Sequence, residues 1–234
     1  MADRKSIELI EKLISFDTTS RESNLEIIAF IQDYLNGLGI DSQLVHNEEG
    51  SKANLYATVG DTNTAGVMLS GHTDVVPIDG QEWDTDPFHV AKKGSRLYGR
   101  GTSDMKSFIA ITLAQLPKFQ ARGLKTPIHL AFSYDEEIGC IGVRRLIEAL
   151  NGMPVKPAMC IVGEPTSMKV ITGHKGKRSY RVHVRGLEAH SSLAPHGVNA
   201  IEYASRLIAF LSDLAGRIAD EGPHDELYDV THTT

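Results

Sequence analysis

The sequence predicts an α/β fold. Short apolar runs of the buried-strand kind recur along the first two thirds of the chain, and segments of helical period lie between them. A change of texture after "ITGHKGKRS" then marks a domain boundary near residue 176. With 234 residues, 41% of them hydrophobic, the chain can build one sizeable core, or one core and a smaller module.

The elements follow in order. Ile7, Leu9, Ile10, Leu13 and Ile14 recur near a helical period and predict a helix over 6–16. Leu25, Ile28, Ala29, Ile31, Leu35 and Leu38 predict a second one. It starts after the capping pair Ser23/Asn24 and stops at Gly37/Gly39. Strands are predicted at 41–46, 53–59 and 66–70. Residues 71–103 read as a long loop, and such a loop inside a compact domain is usually functional. Trp83 and Phe88 are expected to pack it. A helix over 105–121 follows, then a buried strand at 127–134, a helix at 141–150 and a strand at 158–164. Beyond the boundary, "SYRVHVRG" alternates Tyr180, Val182 and Val184 with Arg181, His183 and Arg185, as a half-exposed antiparallel strand would. An amphipathic helix at about 198–215 carries Ile201, Ala204, Leu207, Ile208 and Leu211 on one stripe.

Composition excludes several functions. The net charge is −6, and no Lys/Arg-rich run or aromatic-basic stripe is present, which argues against a nucleic-acid binder. No apolar stretch approaches the roughly 18 residues of a membrane span. Cys140 and Cys160 form neither a CxxC pair nor a disulfide framework, and the start "MADRKSIELIEKL" is charged rather than signal-like. The expectation is a cytoplasmic protein in a reducing compartment, with Cys140 a small buried hydrophobe.

Three buried strands end in acids or histidine. "MLSGHTDVVP" supplies His72 and Asp74, "LAFSYDEEIG" supplies Asp135, Glu136 and Glu137, and "CIVGEPT" supplies Glu164. A fourth stretch, "YGRGTSDMKS", puts Asp104 at the start of a helix. Ligands in open α/β sheets bind beyond the carboxyl ends of the strands, so the four stretches can converge on one crevice. One histidine among carboxylates suits Zn²⁺, Mn²⁺ or Co²⁺, and the absence of thiolates in the set argues against an iron–sulfur cluster. The carboxylates outnumber the needs of one zinc, which suggests two ions about 3.5–4 Å apart. Asp104, favoured as an anion by the helix N-terminus, is the natural bridge between them. Asp74, two residues from His72, is placed to take its ring N–H. On a bent loop, one adjacent glutamate can bind metal while the other reaches the water bound there. Taken singly, each stretch also reads as a capped loop, a solvated helix start or a turn. Four together, three of them directly after buried strands, favour a site.

These stretches, with "DEEIGCIGVRRLI", "GEPTSMKVITGHKG" and "GLEAHSSLAPHGVNAIEYA", resemble the M20 family of metallo-aminohydrolases. The wording "EEIGCIGVR" and "GVNAIEYA" is most similar to its acetylornithine deacetylase branch, ahead of the desuccinylases. The resemblance implies a mixed, mostly parallel sheet flanked by helices, as in zinc-peptidase catalytic domains, over residues 1–176. It further implies the beginning of a smaller α+β dimerisation domain over 177–234. His72, Asp104 and Glu164 would hold one zinc, with Asp104 bridging to a second bound by Glu137. Glu136 would be the general base, moving a proton from the bridging water to the leaving amine. Asp74 would orient His72, and His190 would reach the partner's active site in a homodimer to polarise the scissile carbonyl. The implied reaction is hydrolysis of an N-acetylated amino acid, N2-acetyl-L-ornithine first. Desuccinylase, aminoacylase or dipeptidase chemistry, or a catalytically incomplete metal-binding chain, stand as alternatives. The family's further ligand histidine lies near its C-terminus, and neither His224 nor His232 stands in that motif. The chain is therefore expected to be a fragment or a truncated form, or to have the rest supplied by a second chain, and to expose apolar surface.

Overall fold

A computed structural model describes residues 3–176, 178–222, 224–226 and 228. The chain divides into two compact units, residues 1–168 and 169–234.

In the first unit, helix α1 spans Arg4–Ile14 and α2 spans Leu25–Asn36. Asp3 caps α1 by accepting a hydrogen bond from the Ser6 amide at 2.8 Å. Strands β1 (Ser42–His46), β2 (Ala53–Val59) and β3 (Val67–His72) follow. Next come a small hairpin of β4 (Ala91–Lys93) and β5 (Arg96–Tyr98), then helix α3 (Lys106–Ala121). Strand β6 (Ile128–Ser133), helix α4 (Gly142–Asn151) and strand β7 (Met159–Val162) complete the unit.

The sheet order is β1-β2-β6-β3-β7. Strand β2 pairs antiparallel with β1 and β6, while β3 pairs parallel with β6 and β7. Four strands thus run one way and β2 runs against them. Period-two alternation sends Leu55, Ala57, Leu130 and Phe132 to one face, where α1, α2 and α3 bury Leu13, Ile14, Ile31, Ile109 and Leu113 over them. Tyr56, Met68 and Ala131 take the other face, under Leu146 of α4. The predicted elements of this unit are present within a few residues.

Three expectations are corrected. The loop over 71–103 contains the β4–β5 hairpin. Gly94-Ser95 is its two-residue turn, and Gly94 takes the left-handed φ of +62° that such turns demand. In the second unit, 179–186 forms no strand. Tyr180 and Val182 are exposed, and no described strand lies beside them to pair their amides; without a partner ladder an extended segment is not a strand. Cys140 is exposed, not buried.

The second unit has a 3₁₀ turn (Ser191–His196) and helix α5 (Ala200–Glu221), capped by Asn199. An isolated bridge pairs Leu187 with Val198. The stripe residues Ile201, Ile208 and Leu211 are exposed. Residues 177, 223, 227 and 229–234, including His232, lie outside the described set. Among the described residues no helix is long and apolar enough to cross a membrane.

Gly142 opens α4 against the end of β6. A Cβ there would lie 2.2 Å from the Tyr134 carbonyl oxygen, backbone that cannot move aside cheaply. Gly142→Ala is expected to lower unfolding stability by about 1–3 kcal/mol. Urea unfolding followed by fluorescence of the single tryptophan, Trp83, measures this; an unchanged midpoint would show that α4 slides freely.

Candidate metal centre

Strands β3, β6 and β7 point the same way, so their C-terminal ends share one edge of the sheet. Register sets what meets there. His72 pairs with Ser133, two residues before Asp135, and Ser70 pairs with Val162, two before Glu164. Asp104 arrives from the segment before α3. The helix begins at Lys106 with Met105 at its N-cap, so Asp104 stands at the helix entry without capping it, and its carboxylate turns to His72.

His72 is the centre of the cluster, with its ring buried. Its Nε2 lies 3.0 Å from Asp104 Oδ1, 3.7 Å from Glu164 Oε1 and 4.0 Å from Glu136 Oε2. The other ring nitrogen, Nδ1, faces the Asp74 carbonyl oxygen at 2.9 Å and Asp74 Oδ1 at 3.4 Å. A carbonyl oxygen only accepts, so Nδ1 carries a hydrogen and Nε2 is the nitrogen that can coordinate.

The Asp74 carboxylate does more than face the ring. Its Oδ1 accepts from the Glu136 amide at 3.0 Å, and its Oδ2 accepts from the Glu137 amide at 3.2 Å and the Ser20 hydroxyl at 2.8 Å. Thr73, between the two site residues, is fully buried. Its amide and hydroxyl both donate to the Ser133 carbonyl, and Asn24 donates to its hydroxyl. Lys106 is also fully buried, and its ammonium donates to the Phe16 carbonyl at 2.7 Å. Sequence motifs point to none of Ser20, Asn24, Thr73 or Lys106 as site supports.

Two glycines let the segments approach. A Cβ on Gly163 would fall 2.0 Å from the Phe108 ring, so β7 delivers Glu164 over α3 only because that position is bare. A Cβ on Gly71 would press Met105 Cε at 3.0 Å, and Met105 Sδ accepts from the His72 amide.

The charges are strongly coupled to their surroundings. Burial alone would lower the His72 pKa, but hydrogen bonds to Asp104 and Asp74 outweigh it and raise it to about 11. Burial would raise Asp74, yet its bonds from His72, the Glu136 amide and Ser20 hold it below the usual carboxylate range. The His72 bond likewise lowers Asp104. Burial, with repulsion from Asp104 and Glu136, raises Glu164 to about 7, and burial with Asp104 repulsion raises Glu137. Burial lowers Lys106 to about 7 against the pull of Asp17 and Asp74.

The donor set fits a divalent ion. Two groups, His72 with Glu136 and Glu164, and His72 with Asp104 and Glu137, each place one ligand atom per residue within 4.8 Å of the others. Zinc bonds of about 2.1 Å would draw tetrahedral donors to roughly 3.4 Å apart, a small adjustment. A nitrogen facing carboxylates that repel one another is the arrangement a cation relieves. Asp135 points away from the cluster to Lys52. Cys140, at φ +53°, turns its thiol to within 3.3 Å of Glu136 Oε1. His190 belongs to the second unit. Its Nδ1 accepts from the Ser192 amide and hydroxyl, which leaves an N–H on Nε2 in the neutral ring.

The family model for "Peptidase family M20/M25/M40" matches residues 68–232. An acetylornithine deacetylase of Proteus mirabilis is 38% identical over 220 residues, covering 91% of this chain and 56% of its own length. One from Aliivibrio fischeri is 34% identical over 207 residues, covering 88% of this chain and 53% of its own. The chain thus spans about half the length of the curated relatives it matches. Among solved structures, a tripeptidase from Staphylococcus aureus superposes with a TM-score of 0.61 at 19% identity, covering 89% of this chain and 56% of that one. An M20 family metallo-carboxypeptidase from Sulfolobus solfataricus gives 0.60 at 23% identity, covering 69% and 37%. At those identities the likeness is one of fold, and it is the fold described above. With the family model spanning both the histidine strand and the glutamate turn, the chain belongs to peptidase family M20/M25/M40.

Proposed function

We propose that the protein hydrolyses the amide bond of an N-acetylated amino acid, N2-acetyl-L-ornithine in the first instance, to L-ornithine and acetate. The observation that carries this is the placement of Glu136 Oε2 at 4.0 Å from His72 Nε2, inside a cluster otherwise suited to metal. The substrate rests on relatives named acetylornithine deacetylase at 34–38% identity. Zn²⁺ is the proposed ion, with Co²⁺ or Mn²⁺ as substitutes that the same donors accept.

His72, Asp104 and Glu164 are proposed to hold one ion, and Asp104 with Glu137 a second. When bound, such ions polarise the amide carbonyl and make water a nucleophile near neutral pH. The Glu136 carboxylate takes the proton of the attacking water as the new C–O bond forms. It then delivers that proton to the amine nitrogen as the C–N bond breaks. Asp74 keeps the coordinating nitrogen of His72 aimed at the cluster and holds the glutamate turn by its amides. His190 supplies an N–H donor toward the carbonyl oxygen in the active site of the other copy of a homodimer formed through the second unit. Two free, exposed thiols suit a reducing cytoplasm.

Glu136→Gln keeps the shape and loses the proton acceptor. Turnover of N-acetylornithine is expected to fall by about 10²–10⁴-fold, with divalent-ion binding retained. Assay of released ornithine beside a metal titration checks both; near-normal turnover would remove Glu136 as the base.

Acidity and metal uptake are linked. The raised pKa of Glu164 contributes stability that is complete below its ordinary 4.5 and is lost as pH rises through about 7. His72 has the same sign, complete below 6.5 and lost through about 11. Chelator-treated protein is therefore expected to melt at lower temperature as pH rises from about 4.5 to 8. Zn²⁺, taking the place of those protons, is expected to raise the midpoint more at about pH 8 than at pH 5.5. Differential scanning calorimetry across pH, with and without Zn²⁺, measures both; equal metal-induced shifts at the two pH values would count against these ligands.

A further inference from the structure

The glutamate turn is gripped from two sides, and only one of them touches the histidine strand. On the far side, the Lys52 ammonium lies 2.5 Å from Asp135 Oδ1 and donates to the Ser20 carbonyl at 2.6 Å. Both side chains of the pair are 12% exposed. Lys52 precedes β2, and Asp135 stands at the head of the turn with a left-handed φ of +54°. Ser20 is held at both ends, because its hydroxyl donates to Asp74 Oδ2. Asp74 in turn accepts from the amides of Glu136 and Glu137.

These contacts close a ring. It runs from Lys52 to Ser20, to Asp74, to the Glu136–Glu137 backbone, to Asp135 and back to Lys52. Four segments far apart in sequence meet in it: the β1–β2 turn, the α1–α2 connection, the end of β3 and the turn after β6. The two amide bonds fix the backbone of the glutamates at one end. At the head of the turn, Asp135 has a backbone conformation unusual for a residue with a side chain, and its carbonyl accepts from the Ile141 amide at 3.0 Å. The ion pair anchors its side chain as well, tying the head of the turn to the segment before β2. It also directs the first of three consecutive carboxylates away from the other two, where its charge meets an ammonium.

We propose that Lys52 is a positioning residue for the metal centre, acting through Asp135 and Ser20 to set where Glu136 and Glu137 stand over His72. The inference rests on the metal-dependent reading above and adds a residue that never meets ion or substrate. Its consequence is specific. Supports of this kind change metal affinity or activity by about 10- to 100-fold, whereas an ion pair that merely stabilises the fold changes the melting temperature alone.

The test uses the full 234-residue chain, Co²⁺ as the probe ion, and Lys52→Met, Lys52→Arg and Asp135→Asn. The visible Co²⁺ spectrum and the dissociation constant are read beside kcat, KM and thermal melting. Lys52→Met is expected to weaken Co²⁺ binding by about 10-fold or more, to shift the spectrum and to lower kcat with KM little changed. Lys52→Arg, which can donate to both acceptors, is expected to restore most of the loss. If Lys52→Met melts lower but binds Co²⁺ with wild-type affinity and spectrum, the role is structural and the proposal is wrong. Should Lys52→Met fail to fold, Asp135→Asn decides by the same readouts: weaker binding upholds the proposal, and unaltered binding overturns it. Wild-type protein that takes up Co²⁺ no better than a His72→Ala variant overturns this proposal together with the metal reading. Normal wild-type uptake with unaltered variants overturns the role of Lys52 alone.

Discussion

A buried carboxylate, that of Asp74, is the interaction on which the site depends. Carrying a full charge at 2% exposure is costly unless donors surround it. The chain supplies three close ones, the Ser20 hydroxyl and the amides of Glu136 and Glu137, and the His72 ring N–H faces it at 3.4 Å. Charge-assisted bonds of this kind are worth about 1.5–3 kcal/mol each. They hold Asp74 ionised, and the same bonds fix the turn after β6 against the end of β3. The anion therefore needs the turn to be there, and the turn needs the anion. Neither arrangement is stable without the other, which places two glutamates next to a histidine from a different strand.

The sheet makes this possible by direction. Because β2 runs against its neighbours, β6 can be central, pairing with β2 on one side and β3 on the other. Its C-terminal end then sits beside that of β3, and β7 adds Glu164 from the opposite side of β3. The helices approach closely enough only where side chains are missing. The bare Gly163 under Phe108 and the bare Gly142 at Tyr134 mark two such seams. Packing and chemistry share these positions, since each glycine adjoins a segment that carries a site carboxylate.

The strands and their terminal acids were legible because both signals are local. Apolar runs announce β3, β6 and β7, and His72, Glu136, Glu137 and Glu164 follow them within a few residues. The Gly94-Ser95 turn was equally local, and its short flanking strands sit inside a stretch otherwise rich in loop residues. The supports were not legible. Lys52 reads as an ordinary charge before a strand, and its partners lie 32 and 83 residues away. Only closure of the tertiary structure selects them. The alternation at 179–186 shows the opposite failure: the local pattern of a strand is present, but a strand also requires a neighbour, which periodicity cannot supply. Cys140 was misread for a similar reason, because the turn's left-handed backbone, and not the thiol's own preference, decides its exposure.

The bond from His72 Nδ1 to the Asp74 carbonyl is a main-chain contact. No replacement of the Asp74 side chain deletes that oxygen. The backbone acceptor that sets the His72 tautomer thus survives replacement of the side chain, whereas the carboxylate that faces the ring at 3.4 Å and holds the glutamate turn is lost. The single duty that sequence inspection assigns to the carboxylate, orienting His72, is shared between backbone and side chain of the same residue, and substitution reaches only the side chain's part.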